Sequence, residues 1–240
     1  MKYHEVTLQE AVALQPFNRK SSAAGALIRF EEDIIVQPGQ YFQVWRGVDE
    51  SPLPQIAFAA SLPTEKLMLL DRIPGNWNPG ESLHLWGPMG KGFSLPEGVH
   101  FVSMVVPEGD PVRLLPLMTQ ALGQNASVSL FLDDPEGSLI SAVPVEVEVQ
   151  PLAALPEALM WADFLVMDIS AVNLPQLKAI LGLDDNNRRR VCPGQVLIRT
   201  SMPCAGFGDC QVCAVETRRG LKMACKDGPV FKLEDIIYVV

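Results

Sequence analysis

The sequence predicts a multi-domain protein of α/β plus β class. Three observations carry that expectation. At 240 residues the chain exceeds what one compact core usually organises, so two or three modules are expected. At both ends, turn dipeptides divide short apolar runs, the mark of β structure. Between those ends, strand-like and helix-like runs alternate, which favours a layered α/β domain with a largely parallel sheet.

Residues 1–96 carry β-type runs at 26–30, 34–36, 41–45, 66–70 and 82–86. Pro38-Gly39, Pro74-Gly75 and Pro79-Gly80 punctuate them, so a small barrel or sandwich is expected. Residues 97–187 place strand candidates at 101–106, 127–132, 143–149 and 164–168, with helical spacing at 114–122 and 174–181. The polar stretch 184–190 lacks periodicity and marks the next boundary. Residues 188–240 return to β-type runs at 196–199, 212–217 and 221–224, with Arg218-Arg219-Gly220 as a hairpin turn. No internal repeat or low-complexity tract interrupts the chain.

Composition narrows the function classes. Hydrophobic residues make up 48% and charged residues 20%, ordinary for a folded domain. No apolar run approaches the roughly 18–20 residues of a membrane span. The N-terminus has no basic and apolar leader pattern, so no signal peptide is expected. A cytoplasmic chain keeps its thiols reduced. The five cysteines are therefore read first for metal or redox chemistry.

The net charge of −9 is unevenly spread: residues 1–187 carry −13 and residues 188–240 carry +4. The acidic body argues against a nucleic-acid partner. The basic segment holds every cysteine, where cations would balance thiolates. Arg188-Arg189-Arg190 can equally be a solvated linker.

Four of the cysteines form one pattern, Cys204-x5-Cys210-x2-Cys213-x11-Cys225. The Cys-x2-Cys pair brings two thiolates to one centre, and Cys204 and Cys225 complete four-fold ligation. Gly206 and Gly208 let backbone amides turn toward the sulfurs. The spacing lies near Cys-x4-Cys-x2-Cys…Cys, which favours a [2Fe–2S] cluster. A structural zinc on the same thiols is the rival, although zinc sites usually show two Cys-x2–4-Cys knuckles. Unligated thiols remain a third reading. Cys192 lies outside the pattern and reads as a small buried hydrophobe. His4, His84 and His100 are scattered and read as ordinary barrel or surface residues, and the four tryptophans mainly as core.

Met223-Ala224-Cys225-Lys226-Asp227-Gly228-Pro229-Val230-Phe231 resembles the cluster segment of the electron-transfer subunits of dihydroorotate dehydrogenases, in the ferredoxin–NADP reductase superfamily. Pro38-Gly39-Gln40-Tyr41 and the stretch Gly80-Glu81…Gly87-Pro88-Met89-Gly90-Lys91-Gly92-Phe93 agree with it in the same order. The resemblance implies a ferredoxin-reductase-like FAD-binding barrel at 1–96, a Rossmann-like NAD-binding-type domain at 97–187 and a [2Fe–2S] domain at 188–240. It implies FAD contacts at Tyr41, Gly87, Pro88, Gly90, Gly92 and Phe93, and cluster ligation by Cys204, Cys210, Cys213 and Cys225. It also implies a partner oxidoreductase subunit, a flavoprotein or iron–sulfur protein, in a hetero-oligomer.

The sequence departs from that family at its nucleotide motifs. The stretch 53–61 has no flavin-phosphate arginine, and Arg46 and Arg72 are the nearest substitutes. The glycine-rich turn of the α/β domain is reduced to Pro107-Glu108-Gly109-Asp110, where acid is expected to repel a pyrophosphate. Met167-Asp168-Ile169-Ser170 replaces the family's Cys-Gly-Pro turn. NAD(P)H binding is therefore not expected, and FAD binding stays open. The leading expectation is an iron–sulfur electron relay. The alternatives are a complete FAD/[2Fe–2S] NADH-oxidising subunit and an assembly subunit with a structural metal.

Overall fold

The computed structural model describes residues 2–12, 24–47, 53–74, 77–135, 142–183, 191–204 and 206–239. The first six strands are β1 (Lys2–Val12), β2 (Ala24–Arg29), β3 (Tyr41–Trp45), β4 (Gln55–Phe58), β5 (Leu67–Ile73) and β6 (Ser82–Met89). They form one antiparallel sheet in the order β4-β3-β6-β1-β2-β5. A bridge from Ala59 to Leu70 brings the two edges together, so the sheet is a nearly closed barrel. Alternation fills it: Leu83 and Leu85 of β6 point inward with Val6, Leu8, Ile28, Phe42 and Leu70, as a half-buried strand requires.

A second sheet follows. β7 (Phe101–Val106), β8 (Ser127–Leu132), β9 (Glu148–Pro151), β10 (Phe164–Ser170) and β11 (Gly194–Arg199) run parallel. α1 (Leu115–Gly123), α2 (Leu155–Ala158) and α3 (Leu177–Ile180) connect them, each led by a 3-10 turn. Proline in the first turn of α1 and of α2 suits helix initiation, because an unpaired amide is absent there. Beyond β11 come the hairpin β12 (Ala214–Thr217) and β13 (Gly220–Met223), then α4 (Ala224–Asp227), β14 (Val230–Lys232) and α5 (Leu233–Ile237).

The second sheet has the order β14-β11-β10-β7-β8-β9. The chain builds outward from β7 through β8 to β9, then returns to β7's other side with β10 and β11. Strand order thus reverses between β7 and β10. In open α/β sheets that reversal opens a crevice at the carboxyl ends of the strands, the usual ligand position.

Several elements differ from the sequence reading. β1 was not expected, because among its side chains only alternate Val6 and Leu8 are strongly buried while its polar residues face out. β4 was missed because it is short and follows a proline-containing stretch. Residues 34–36 are extended but pair with no described strand. At 143–149 only the end pairs, in β9. The strand expected at 196–199 and the Val230–Phe231 run both join the second sheet, with β14 antiparallel to β11. The segment 188–240 is thus divided between that sheet and the cysteine loop. A strand's own pattern does not show which sheet it joins. The stretch 184–190, Gly75 and Met1 lie outside the described residues.

Candidate functional site

The cysteines are held by a loop, a hairpin and one helical turn. Gly206 and Gly208 adopt φ of 81° and 82°, and Gln211 adopts 56°, so the chain reverses repeatedly between Cys204 and Cys213. The Phe207 amide donates to the Cys204 carbonyl at 3.1 Å. Cys213 leads directly into β12, and β13 returns the chain to Cys225 in α4. The Ala224 amide closes this return on the Cys213 carbonyl at 3.0 Å. The next amide, that of Cys225, points at the Cys213 Sγ at 3.4 Å.

The four thiols meet. Cys204 hydrogen bonds with Cys210 and Cys225, and Cys225 with Cys213 and Cys204. Burial pushes the Cys204 thiol up, but the Gly208 amide, Cys210 and Cys225 bring it down to about 7. Burial, then Cys213 and Cys204, push the Cys225 thiol up to about 12. All five cysteines are free thiols, and among the described residues no three His, Cys, Asp or Glu side chains are already arranged about a single ion. Cys213 and Cys225 are buried, Cys204 is half-buried and Cys210 is exposed. This donor set suits an iron–sulfur group: four thiols linked through Cys204 and Cys225, with backbone amides already directed at two of them.

Cys192 stands outside this group. Burial, with Asp163 adding to it, pushes its thiol up to about 11.

Two of the residues expected to touch FAD, Tyr41 and Gly90, pack against the cysteine segment. Tyr41 is fully buried, and its hydroxyl donates to the Cys225 carbonyl at 3.0 Å. Gly90 packs on the Gly228-Pro229 backbone: a Cβ there would lie 2.5 Å from Pro229 Cδ and 2.7 Å from the Gly228 oxygen. The Lys91 amide donates to that same oxygen at 2.5 Å, and Lys91 pairs with Pro229 as an isolated parallel bridge. Gly87 lies against Phe42 and Gly92 against Gln37 and Pro38. The Phe93 amide donates to the Pro38 carbonyl at 2.7 Å. Pro88, at the end of β6, is half-buried. Arg46, one substitute for the missing phosphate-binding arginine, faces Glu81 at 3.5 Å.

A second polar cluster fills the crevice between β7 and β10, and sequence reasoning missed it. Arg113 is almost wholly buried. Its Nε meets Asp168 at 2.6 Å and its Nη1 meets Asp71 of the barrel at 3.0 Å. Asp168, on β10, also holds Arg199 of β11 at 2.7 Å. Arg199 in turn reaches Glu108 at 2.9 Å. Glu108 accepts from the Ser170 amide at 2.6 Å and from Asn173. Asp71 also accepts from the Phe58 amide at 2.6 Å, in the stretch where the missing flavin arginine was sought. Burial alone would pull the Arg113 guanidinium down, but Asp168, Asp71 and Asp110 hold it well above its ordinary value.

This corrects one expectation. Glu108 and Asp110 were read as acids that would repel a pyrophosphate. In the fold they are paired, Glu108 with Arg199 and Asp110 with Arg113, the latter at 3.9 Å. Paired ions occupy the crevice between barrel and sheet. The only sequence sign was the spacing of Asp110 and Arg113, which permits an i,i+3 contact.

Comparison with known proteins agrees with this architecture. Residues 200–237 match the family model of the iron–sulfur cluster binding domain of dihydroorotate dehydrogenase B. The electron transfer subunit of dihydroorotate dehydrogenase B (NAD(+)) from Desulforamulus reducens is 24% identical over 237 residues, spanning 85% of this chain and 88% of that protein. Among solved structures, the NADH-dependent reduced ferredoxin-NADP oxidoreductase, described for flavin-based electron bifurcation, superimposes with a TM-score of 0.67 at 18% identity. It covers 95% of this chain and 89% of its own. The ferredoxin reductase of carbazole 1,9a-dioxygenase gives 0.60 at 15% identity, over 77% of this chain and 67% of its own. At these identities the structural likenesses establish the fold. Taken with the cysteine segment, they make this chain a protein of ferredoxin-reductase-like fold with a C-terminal iron–sulfur-binding domain of the dihydroorotate dehydrogenase B type.

Proposed function

We propose that the chain is an iron–sulfur electron-transfer subunit that relays electrons to or from a partner oxidoreductase and takes none from NAD(P)H itself. The observation that carries this reading is the Cys225 amide directed at the Cys213 sulfur at 3.4 Å, in the segment 200–237 that also carries Cys204 and Cys210 and matches an iron–sulfur binding domain. The cofactor they would hold is [2Fe–2S]; it supplies one-electron exchange when bound. Cys213 and Cys225 form the buried side of the site, and Cys210 its exposed side. The Cys225 amide donates to the Cys213 sulfur, and the Gly208 amide to the Cys204 sulfur.

In functional terms the chain divides at residues 96 and 187. The barrel seats the cysteine segment, the second sheet backs it through β11 and β14, and the cysteine loop carries the redox chemistry. Phe207 and Val212, 68% and 57% exposed, flank Cys210 with apolar surface suited to a partner subunit. Reduced thiols and cluster assembly fit a cytoplasmic setting, and among the described residues no helix is long and apolar enough to cross a membrane.

The buried ions at the β7/β10 crevice support the loss of the nicotinamide site. An incoming dinucleotide would have to displace Arg113 from Asp71 and Asp168, leaving carboxylates where its phosphates belong. FAD is the second reading, favoured by the fold shared with ferredoxin reductases. Its contacts would be Tyr41, Gly87, Pro88, Gly90, Gly92 and Phe93, on the same face that seats the cysteine segment.

Anaerobic purification tests the proposal. About two irons and two acid-labile sulfides per chain are expected, with visible charge-transfer bands that NADH alone does not bleach. Colourless protein containing zinc would overturn the cluster. Stoichiometric FAD in the denatured extract, together with bleaching by NADH, would establish the complete NADH-oxidising subunit instead.

A further inference from the structure

We infer that Tyr41 is a positioning residue for the iron–sulfur group: its hydroxyl fixes the backbone of Cys225 and thereby sets the reduction potential. The inference rests on the cluster reading above.

Tyr41 belongs to the barrel, and Cys225 lies far along the chain in α4. Tyr41 is fully buried and Cys225 is 3% exposed. The phenol donates to the Cys225 carbonyl at 3.0 Å. That carbonyl sits in a turn whose other polar groups are already engaged. The Cys225 amide points at the Cys213 sulfur at 3.4 Å, the Ala224 amide at the Cys213 carbonyl at 3.0 Å, and Asp227 accepts from the Met223 amide at 3.0 Å. No water reaches so enclosed a group easily, so loss of the phenol leaves a buried carbonyl unsatisfied.

The phenol also stands close to the cysteine loop. A Cβ at Gly206, in that loop, would lie 3.5 Å from the Tyr41 oxygen. The Tyr41 hydroxyl anchors a residue that supplies both a sulfur ligand and an amide donor to a second sulfur. Amide bonds to sulfur stabilise the more negative reduced state, so hydrogen bonding around the sulfurs sets cluster potential. Without the anchor, the Cys225 amide drifts from the Cys213 sulfur and reduction becomes harder. A tyrosine making only a flavin contact would not have its hydroxyl committed to this carbonyl.

The test uses the full chain, reconstituted with iron and sulfide under argon. The Tyr41→Phe variant keeps the ring and removes the hydroxyl. Its expected behaviour is unchanged iron and sulfide content, with the reduction equilibrium about tenfold less favourable. That is about 59 mV more negative for one electron, read by dye-mediated titration with electron paramagnetic resonance. Phe58→Leu, which removes the ring 6.1 Å from Tyr41 and spares the hydroxyl, is expected to leave the potential in place. An unchanged potential in Tyr41→Phe, or an equal shift in Phe58→Leu, overturns the inference.

Should Tyr41→Phe fail to retain the cluster, 3-fluorotyrosine at position 41, in a Tyr3→Phe, Tyr238→Phe background, strengthens the donor instead. The potential then rises if the hydroxyl acts as argued; no movement overturns the inference. A wild-type chain that takes up neither iron nor sulfide overturns the cluster reading itself, and this inference with it.

Discussion

The barrel meets the rest of the chain on two fronts, and it does so by opposite means. Toward the cysteine loop it offers backbone and neutral groups: Gly90 against Gly228 and Pro229, the Lys91 amide, and the Tyr41 hydroxyl. Toward the β7/β10 crevice it offers a buried carboxylate, Asp71, to a buried guanidinium, Arg113. A redox site changes its charge in every cycle. Neutral dipoles around it respond with little reorganisation, whereas a fixed ion pair would favour one oxidation state. Ion pairs that join barrel to sheet face no such demand, and fixed charges can serve there. The contrast separates a face organised for chemistry from one organised for cohesion.

The largest expected effect lies on the chemical face. Cys213→Ser and Cys225→Ser should each lower iron and sulfide from about two per chain to near zero. Cys192→Ser should leave both unchanged, because Cys192 stands outside the thiol group. Iron analysis and the visible spectrum measure this. Iron retained in Cys225→Ser, together with iron lost in Cys192→Ser, would break the assignment of ligands.

On the cohesive face, Arg113→Met strands Asp71 in the interior and leaves Asp168 to Arg199. Removing one partner of a buried pair costs about 3–5 kcal/mol, read as a fall in the urea midpoint. Adding Asp71→Asn should recover most of that loss, since the uncompensated charge is gone. A double variant no more stable than Arg113→Met would mean that the arginine acts by packing alone.

These two faces were unequally legible in the sequence. The cysteine ligands sit within one short stretch, and Cys-x2-Cys announces itself locally. The partition into barrel, α/β sheet and cysteine segment followed from turn punctuation and apolar periodicity, both local signals. The charge network has almost no local signal beyond the Asp110/Arg113 spacing: Asp71, Glu108 with Arg113, Asp168 and Arg199 come from four separate segments and meet only because the sheet reverses its order at β7. Read singly, Glu108 and Asp110 were repulsive acids; assembled, they are paired. Tyr41 was legible as important, but its contact to Cys225 was not, because that contact depends on how the last segment folds back on the barrel.

A smaller effect separates two glycines of similar backbone. Gly90 has φ of 74° and Gly98 has 75°, so alanine at either is strained by about 1–2 kcal/mol. Nothing lies within 4 Å of a Cβ at Gly98, while at Gly90 the Gly228 oxygen would be 2.7 Å away. Overpacking should add about 1–3 kcal/mol at Gly90. Its distinctive consequence is faster cluster loss to a chelator, because the displaced segment carries Cys225. Equal chelation rates in Gly90→Ala and Gly98→Ala would show that the glycine face does not seat the site.

The smallest effect is a change of pH dependence on the cohesive face. Burial pushes the Asp71 carboxyl above the ordinary carboxylate range, with Arg113 and the Phe58 amide opposing it. A carboxyl whose pKa is higher folded than unfolded binds its proton more tightly when folded. Its contribution is therefore fully present below the unfolded value, about pH 4, and is lost as pH rises through the raised folded value. Asp71→Asn cannot titrate, so that fall disappears. The variant pays a constant cost for presenting an amide to Arg113, yet its deficit relative to wild type should shrink as pH rises through this window. Urea midpoints of both proteins, measured on the metal-free chain across the acid range, give the difference directly. A deficit that instead grows with pH would mean that Arg113 depresses Asp71 more than burial raises it. The ion pair would then contribute net stability at neutral pH, and the crevice would be held shut by attraction as well as by packing.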